Sequence, residues 1–196
     1  MARAAALKAD LAMLEGTGGT QIKGLTTYSG IAAHTASTTG SNGDTFQPAD
    51  VALMESKLPD AVDTPSAWVM RKAMFAALMN RRADAVSAAD GKGAFLFRTP
   101  TGSNAPPGEL YGTRVVRSSQ VSAGRAKGAA NNLTYILLGY FPDWVVARMG
   151  VMEFLASGLG DTALQNDMTY LRGIQHIDAG PRQVGSFVLC DQLVVG

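Results

Sequence analysis

Cys190, His176 and Asp178 are the residues of this sequence that could do covalent chemistry, since a thiol, an imidazole and a carboxylate are the parts of a nucleophile, its base and an orienting group. His176 and Asp178 stand two apart in a segment that reads as a strand, so they point the same way and are competent to pair. Cys190 lies in an apolar run, where a small buried hydrophobe is the plainer reading. A small α+β hydrolase stays open on these residues, and a fully buried cysteine would end it. His34 is the only other histidine, and no Cys, His and carboxylate cluster stands at ligand spacing, so no metal centre is assigned.

The remaining motifs have bland readings. Gly16-Thr-Gly-Gly19 resembles a fragment of a phosphate loop, but it closes a helix where such a loop must open one, so it reads as a cap and linker. Gly124-Arg-Ala-Lys-Gly128 has its lysine before the second glycine, and with Arg117, Arg125 and Lys127 it reads as a solvated basic loop. Asn132-Leu-Thr134 is a formal glycosylation sequon in a chain without an export signal. The stretch 161–167 carries too few ligands for a calcium loop. Trp68, Trp144, Tyr140 and Phe141 belong to a core or subunit interface, or line the pocket of a monomeric binding module. No catalytic set and no cofactor site is expected.

Composition bounds the function classes. A chain of 196 residues can bury a real core, and its 17% of charged residues is below the roughly 25% of an average soluble protein, so part of its surface is expected to be covered. With 17 basic and 16 acidic residues there is no global field to grip nucleic acid or an anionic membrane. One cysteine excludes an intrachain disulfide and fits a reducing compartment. The most apolar stretch, Leu133 to Leu159, is broken by Pro142, Asp143, Arg148 and Glu153 and falls short of the roughly 18 residues of a membrane helix. Lys8 and Asp10 fall where a signal peptide would be apolar.

The elements that must position these residues run from helices to strands. Leu7, Leu11 and Leu14 place a stripe along a helix over 2–14, a helix that needs a neighbour to cover it. Thr20 to Asp44, small and polar, reads as an extended or flexible connection and the best internal boundary. Pro48 opens a helix with Val51, Met54 and Leu58 on one face, stopped by Pro59. Arg71 to Arg82 is a second helix carrying Ala73, Met74, Ala77 and Leu78. Ala67 to Met70 is either a buried strand or a helical first turn. Strands are expected at Ala94–Phe97, Leu110–Val116, Thr134–Tyr140, Trp144–Arg148, Val151–Leu155, Asp167–Ile177 and Ser186–Leu189, with a loop at 99–108. Helices early and strands late make an α+β fold.

The order of these features is similar to the C-terminal half of the tailed-phage major capsid proteins, the Hong Kong ninety-seven fold that encapsulins share. Pro65-Ser-Ala-Trp68-Val-Met70 and the helix after it resemble the family's tryptophan-containing run, and Asp90-Gly-Lys-Gly93-Ala-Phe-Leu-Phe97 its next turn and strand. Leu110-Tyr-Gly112-Thr-Arg-Val115 resembles its Leu-x-Gly-x-Pro-Val segment, with Arg114 where proline is usual. Ile136-Leu-Leu-Gly139-Tyr140 stands where the family has a strand ending in Gly-Asp, and Tyr140 departs from that. Asp167 through Asp178, Pro181 and Phe187-Val-Leu189 are similar to its late arginine-bearing strand and final strand.

The resemblance implies a subunit with the end of the spine helix over 1–25, an axial domain over 26–150, peripheral-domain strands over 151–180 and a final strand over 181–196. It also implies an N-terminally truncated form, without the arm, the extended loop and most of the spine helix. The implied function is assembly around five-fold and six-fold axes into an icosahedral shell that holds double-stranded DNA without sequence specificity. Implied partners are other copies of the chain, in pentamers or hexamers, and scaffold, portal or maturation protease, with no membrane. The implied location is the virion, after assembly in the bacterial host cytoplasm. Glu153, Arg172 and Asp178 are expected in polar contacts of the peripheral sheet, and Arg125 and Lys127, in the 119–131 loop, near a symmetry axis. An encapsulin-like compartment is the alternative. Lacking arm and loop, the chain is expected to fold but to assemble poorly or into small rings.

Overall fold

The computed structural model describes residues 2–62, 64–79, 97–98, 108–158, 166 and 169–195. In chain order these form α1 (Ala2–Glu15), β1 (Ala32–His34), α2 (Pro48–Glu55), β2 (Ala67–Met70), α3 (Lys72–Met79), β3 (Phe97–Arg98), β4 (Glu109–Leu110), β5 (Thr113–Arg117), β6 (Arg125–Lys127), β7 (Ala130–Gly139), β8 (Trp144–Ser157), β9 (Tyr170–Pro181) and β10 (Phe187–Leu193). They group into two compact units, Met1–Thr27 with Val145–Gly180, and Tyr28–Trp144 with Pro181–Gly196.

The larger unit is built on a mixed sheet in the order β1-β10-β7-β2-β5-β4-β3, with β6 paired to β7. All four residues of β2 are buried, which settles Ala67–Met70 as a central strand, parallel to β5 and antiparallel to β7. Pro48 occupies the first turn of α2, where its missing N–H costs nothing, and Val51, Met54 and Leu58 bury as their spacing requires. The helix ends at Glu55, before Pro59. In α3 the buried face is Met74, Phe75 and Leu78, while Ala73 is exposed. Arg81, Arg82 and Ala94 to Leu96 lie outside the described residues, as does 99–107 of the expected loop. Trp68 sits at the centre of this core, its ring edge-on to Phe46 at 6.5 Å.

Several expected elements are corrected. Leu110–Val116 is not one strand but the hairpin β4–β5, turned by Tyr111 (φ 51°) and Gly112 (φ 82°), a two-residue turn of the sort that suits the sheet's twist. Thr20–Asp44 is not a flexible connection. It holds β1, parallel to β10, and buries His34, Ala36 and Asp44. The basic stretch 119–131 contains β6 and a turn into β7, with Val121 buried. Trp144–Arg148 and Val151–Leu155 fuse into the single strand β8.

Gly16 ends α1 for a reason other than a left-handed cap. A Cβ there would stand 2.1 Å from the carbonyl oxygen of Ile22, and one on Gly24 would stand 2.3 Å from the nitrogen of Gly16. Two backbones therefore touch, joined by Gly24 N–H to Gly16 O at 2.8 Å. Gly139, at the end of β7, is as tight. A Cβ would lie 2.3 Å from Cδ1 of Phe187, a buried ring that Phe141 and Trp144 meet edge-on at 5.6 and 6.4 Å. Gly139→Ala is expected to cost about 1–3 kcal/mol by overpacking. Thermal unfolding checks this, and an unchanged midpoint would show that Phe187 can move aside.

Candidate assembly surface

The groups picked out for covalent chemistry do not form a reacting set. Cys190 is fully buried on β10, and burial, then the carboxylates of Asp50, Asp44 and Asp191, push its thiol up to about 12. A nucleophile needs the opposite shift. His176 and Asp178 are exposed on β9, belong to the other unit, and form no ion pair among the described residues. The hydrolase reading ends on this cysteine. The native thiol is expected to react with a disulfide reagent at pH 8 at least about 100-fold more slowly than in denaturant. Equal rates would contradict the burial.

The larger unit does contain a buried polar cluster that spacing did not reveal. Asp50, at the third position of α2, is fully buried. Its Oδ2 accepts the Gln47 backbone N–H at 2.6 Å. Its Oδ1 accepts Nε2 of His34 at 3.0 Å, the backbone N–H of Ser37 at 2.8 Å and the Ser37 hydroxyl. Serine, histidine and aspartate are all present, but hydroxyl and imidazole both point at the carboxylate rather than at each other, so no base activates the serine. The cluster ties β1 and the segment after it to the start of α2. Among the described residues no three potential ligands gather to hold a metal ion, and no helix is long and apolar enough to cross a membrane.

Trp68 and Trp144 are both packed against other aromatic rings. Trp68 is core, and Trp144 packs edge-on against Tyr28 and Phe187 at 6.2 and 6.4 Å. This corner is held by the Ser66 hydroxyl, which donates to Gly139 O at 3.1 Å and accepts the Phe141 N–H at 2.8 Å, and by the Ser186 hydroxyl, which donates to Asp143 Oδ2 at 2.5 Å. Past Trp144 the chain passes into the smaller unit.

The smaller unit has few buried apolar residues among those described. Its β8 and β9 form a two-stranded sheet, an arrangement marginal in water by itself. Val145, Val146, Met149, Val151, Phe154 and Leu155 on β8 are all exposed, Met149 at 75% and Val151 at 84%. Successive strand residues face opposite sides, so both faces of the ribbon carry uncovered apolar surface. Phe154 lies over Gly173 of β9, where a Cβ would meet its ring at 3.4 Å, filling the gap the glycine leaves. The only hydrophobic residues buried in this unit, among those described, are Ile22, Leu25 and Ala179. Leu7 and Leu11 of the α1 stripe are exposed too.

The polar residues singled out from sequence divide between the units. Glu153, Arg172 and Asp178 are exposed on the ribbon. Arg125 and Lys127 are engaged within the chain: Arg125 stands over the Tyr135 ring at 5.1 Å and 3.7 Å from Asp191, and Lys127 pairs with the buried Asp44.

A hairpin-bearing mixed sheet joined to a long uncovered ribbon is accompanied by a family match that covers almost the whole chain: the model of the phage capsid family fits residues 1–191. The chain belongs to the phage capsid family. Solved structures agree on the fold. The capsid of an empty GTA particle, computed with C5 symmetry, is similar at a TM-score of 0.67 with 14% identity, over 95% of this chain and 62% of that one. The holo-SrpI encapsulin complex from Synechococcus elongatus PCC 7942 gives 0.62 with 14% identity, over 96% and 61%. A structure from Gordonia phage Cozz gives 0.60 with 14% identity, over 97% and 60%. No curated protein matches this sequence. The chain thus has the α+β fold of the Hong Kong ninety-seven type and spans about three fifths of the length of these structures.

Proposed function

We propose that copies of this chain pack through the smaller unit as part of the wall of a shell around double-stranded DNA, and that its work is mechanical rather than catalytic. The observation that carries this is the ribbon β8–β9. It is apolar on both faces and has almost no core beneath it, so burial against another subunit supplies the covering that its own chain does not. Shell contacts repeat by symmetry, so modest contacts suffice collectively.

In this reading Tyr28–Trp144 with Pro181–Gly196 is the axial domain and Met1–Thr27 with Val145–Gly180 the peripheral one. Glu153, Arg172 and Asp178 add polar contacts beside the apolar ones, while Arg125 and Lys127 hold the β6–β7 hairpin in place. A formal charge of +1 suits a wall that confines DNA without gripping it. Scaffold, portal and protease are partners of the same reading.

Light scattering across a concentration series, with electron microscopy of the same sample, tests it. Rings of five or six, or shell fragments, are the expected result, and replacing Val151 and Phe154 by serine is expected to abolish them. A strict monomer at every concentration would refute self-association of this chain. DNA in assembled particles supports the phage reading, whereas a packaged enzyme would replace it by an encapsulin-like compartment.

A further inference from the structure

Strands β2 and β5 run parallel side by side and finish together, Met70 opposite Arg117. Just beyond their ends lies a cleft of about 630 Å³ lined by Arg71, Lys72, Ala73, Ala76, Arg117, Ser118 and Ser119. Crevices outside the carboxyl ends of parallel strands are where open sheets hold ligands, because the chain there turns away and leaves space. This one carries three cations and no carboxylate in its wall.

None of the three is neutralised among the described residues. Arg71 donates one guanidinium N–H to the carbonyl of Val121 at 2.8 Å, a neutral partner that fixes the side chain and leaves its charge. Arg117 is held over the Phe75 ring at 5.0 Å. Two guanidinium groups anchored in place and a lysine beside them repel one another, and a counter-charge brought into the cleft relieves that repulsion. A single carboxylate would match one of three charges. A phosphoryl group offers more charge and several acceptor oxygens, which suit the forked N–H geometry of arginine.

We infer that the cleft between Arg71, Lys72 and Arg117 is a binding site for phosphoryl oxyanions. The Ser118 and Ser119 hydroxyls on its rim can add neutral hydrogen bonds. The site lies wholly in the larger unit, so it stands whether or not the chain forms shells.

Calorimetric titration of the full chain with inorganic triphosphate tests this, with a short DNA duplex as the second arm. Saturable binding of triphosphate is expected, weakened at least about tenfold in the Lys72→Gln/Arg117→Gln variant and unchanged in Arg148→Gln, an exposed cation on β8. Binding that survives the double substitution, or no saturable binding, would overturn the site. If the variant fails to fold, amide chemical shifts of the unaltered protein decide: shifts at Ala73, Ala76, Ser118 and Ser119 support the cleft, and shifts confined elsewhere reject it. Duplex binding displaced by triphosphate would name the nucleic-acid backbone as the source of the phosphoryl group, and triphosphate binding alone a free polyphosphate.

Discussion

Replacing Asp50 by alanine lowers the free energy of unfolding by about 3–5 kcal/mol, because it removes the one acceptor that four donors share and leaves the buried His34 unpaired. The carboxylate receives the Gln47 and Ser37 backbone N–H groups, the Ser37 hydroxyl and His34 Nε2, and Asp50 is itself fully buried. Once it is gone, Nε2 of the buried His34 keeps no acceptor, while the exposed Ser37 can turn to water. Asp50→Asn keeps the shape and one acceptor oxygen but loses the charge assistance, for a loss of about 1–3 kcal/mol. Urea denaturation of both variants checks the order. A loss under about 1 kcal/mol for alanine would mean that water reaches the cluster.

Trp68 is the second sensitive position. Trp68→Ala empties the middle of the sheet and is expected to cost about 3–5 kcal/mol, enough to leave little folded chain at physiological temperature. Trp68→Phe is expected to cost only about 1–2 kcal/mol. The difference follows from the ring that phenylalanine keeps and alanine does not, and the indole nitrogen, buried with no hydrogen-bond partner among the described residues, leaves no hydrogen bond to lose. Phenylalanine loses volume and the Phe46 edge contact but breaks no hydrogen bond. A phenylalanine variant as unstable as the alanine one would show that the indole N–H has a partner, such as a buried water.

The helices were legible where large apolar residues repeat at helical spacing. Leu7, Leu11 and Leu14 mark α1, and Val51, Met54 and Leu58 with Pro48 mark α2. β1 was not, because Ala32-Ala33-His34 has no apolar alternation and takes its place from β10 beside it. The β4–β5 turn was hidden because tyrosine is not a residue expected at positive φ. The expected strands Trp144–Arg148 and Val151–Leu155 are one because Gly150, at φ 70°, is accommodated inside β8.

At the candidate site the balance reverses. The low charged fraction foretold a covered surface, and the uncovered ribbon is where that apolar excess lies. The Asp50 cluster went unread, since its partners are scattered over 34–47 and glutamine at 47 is not a usual cap. A signal was present in Gln47-Pro-Ala-Asp50, where proline fixes the first helical turn and so puts the aspartate at the position that reaches back to the cap.

The sheet order also sets a timetable. Among the described residues β1 pairs with no strand but β10, so His34 is placed opposite Cys190, more than half the chain further on. A chain leaving the ribosome amino end first has made β1, β2, β5 and β7 long before it delivers the strand that fits between β1 and β7. Until then both of those strands keep an open edge, and loop closure over such a distance is slow. The sheet of the larger unit therefore completes late in synthesis, after every other strand described has been made.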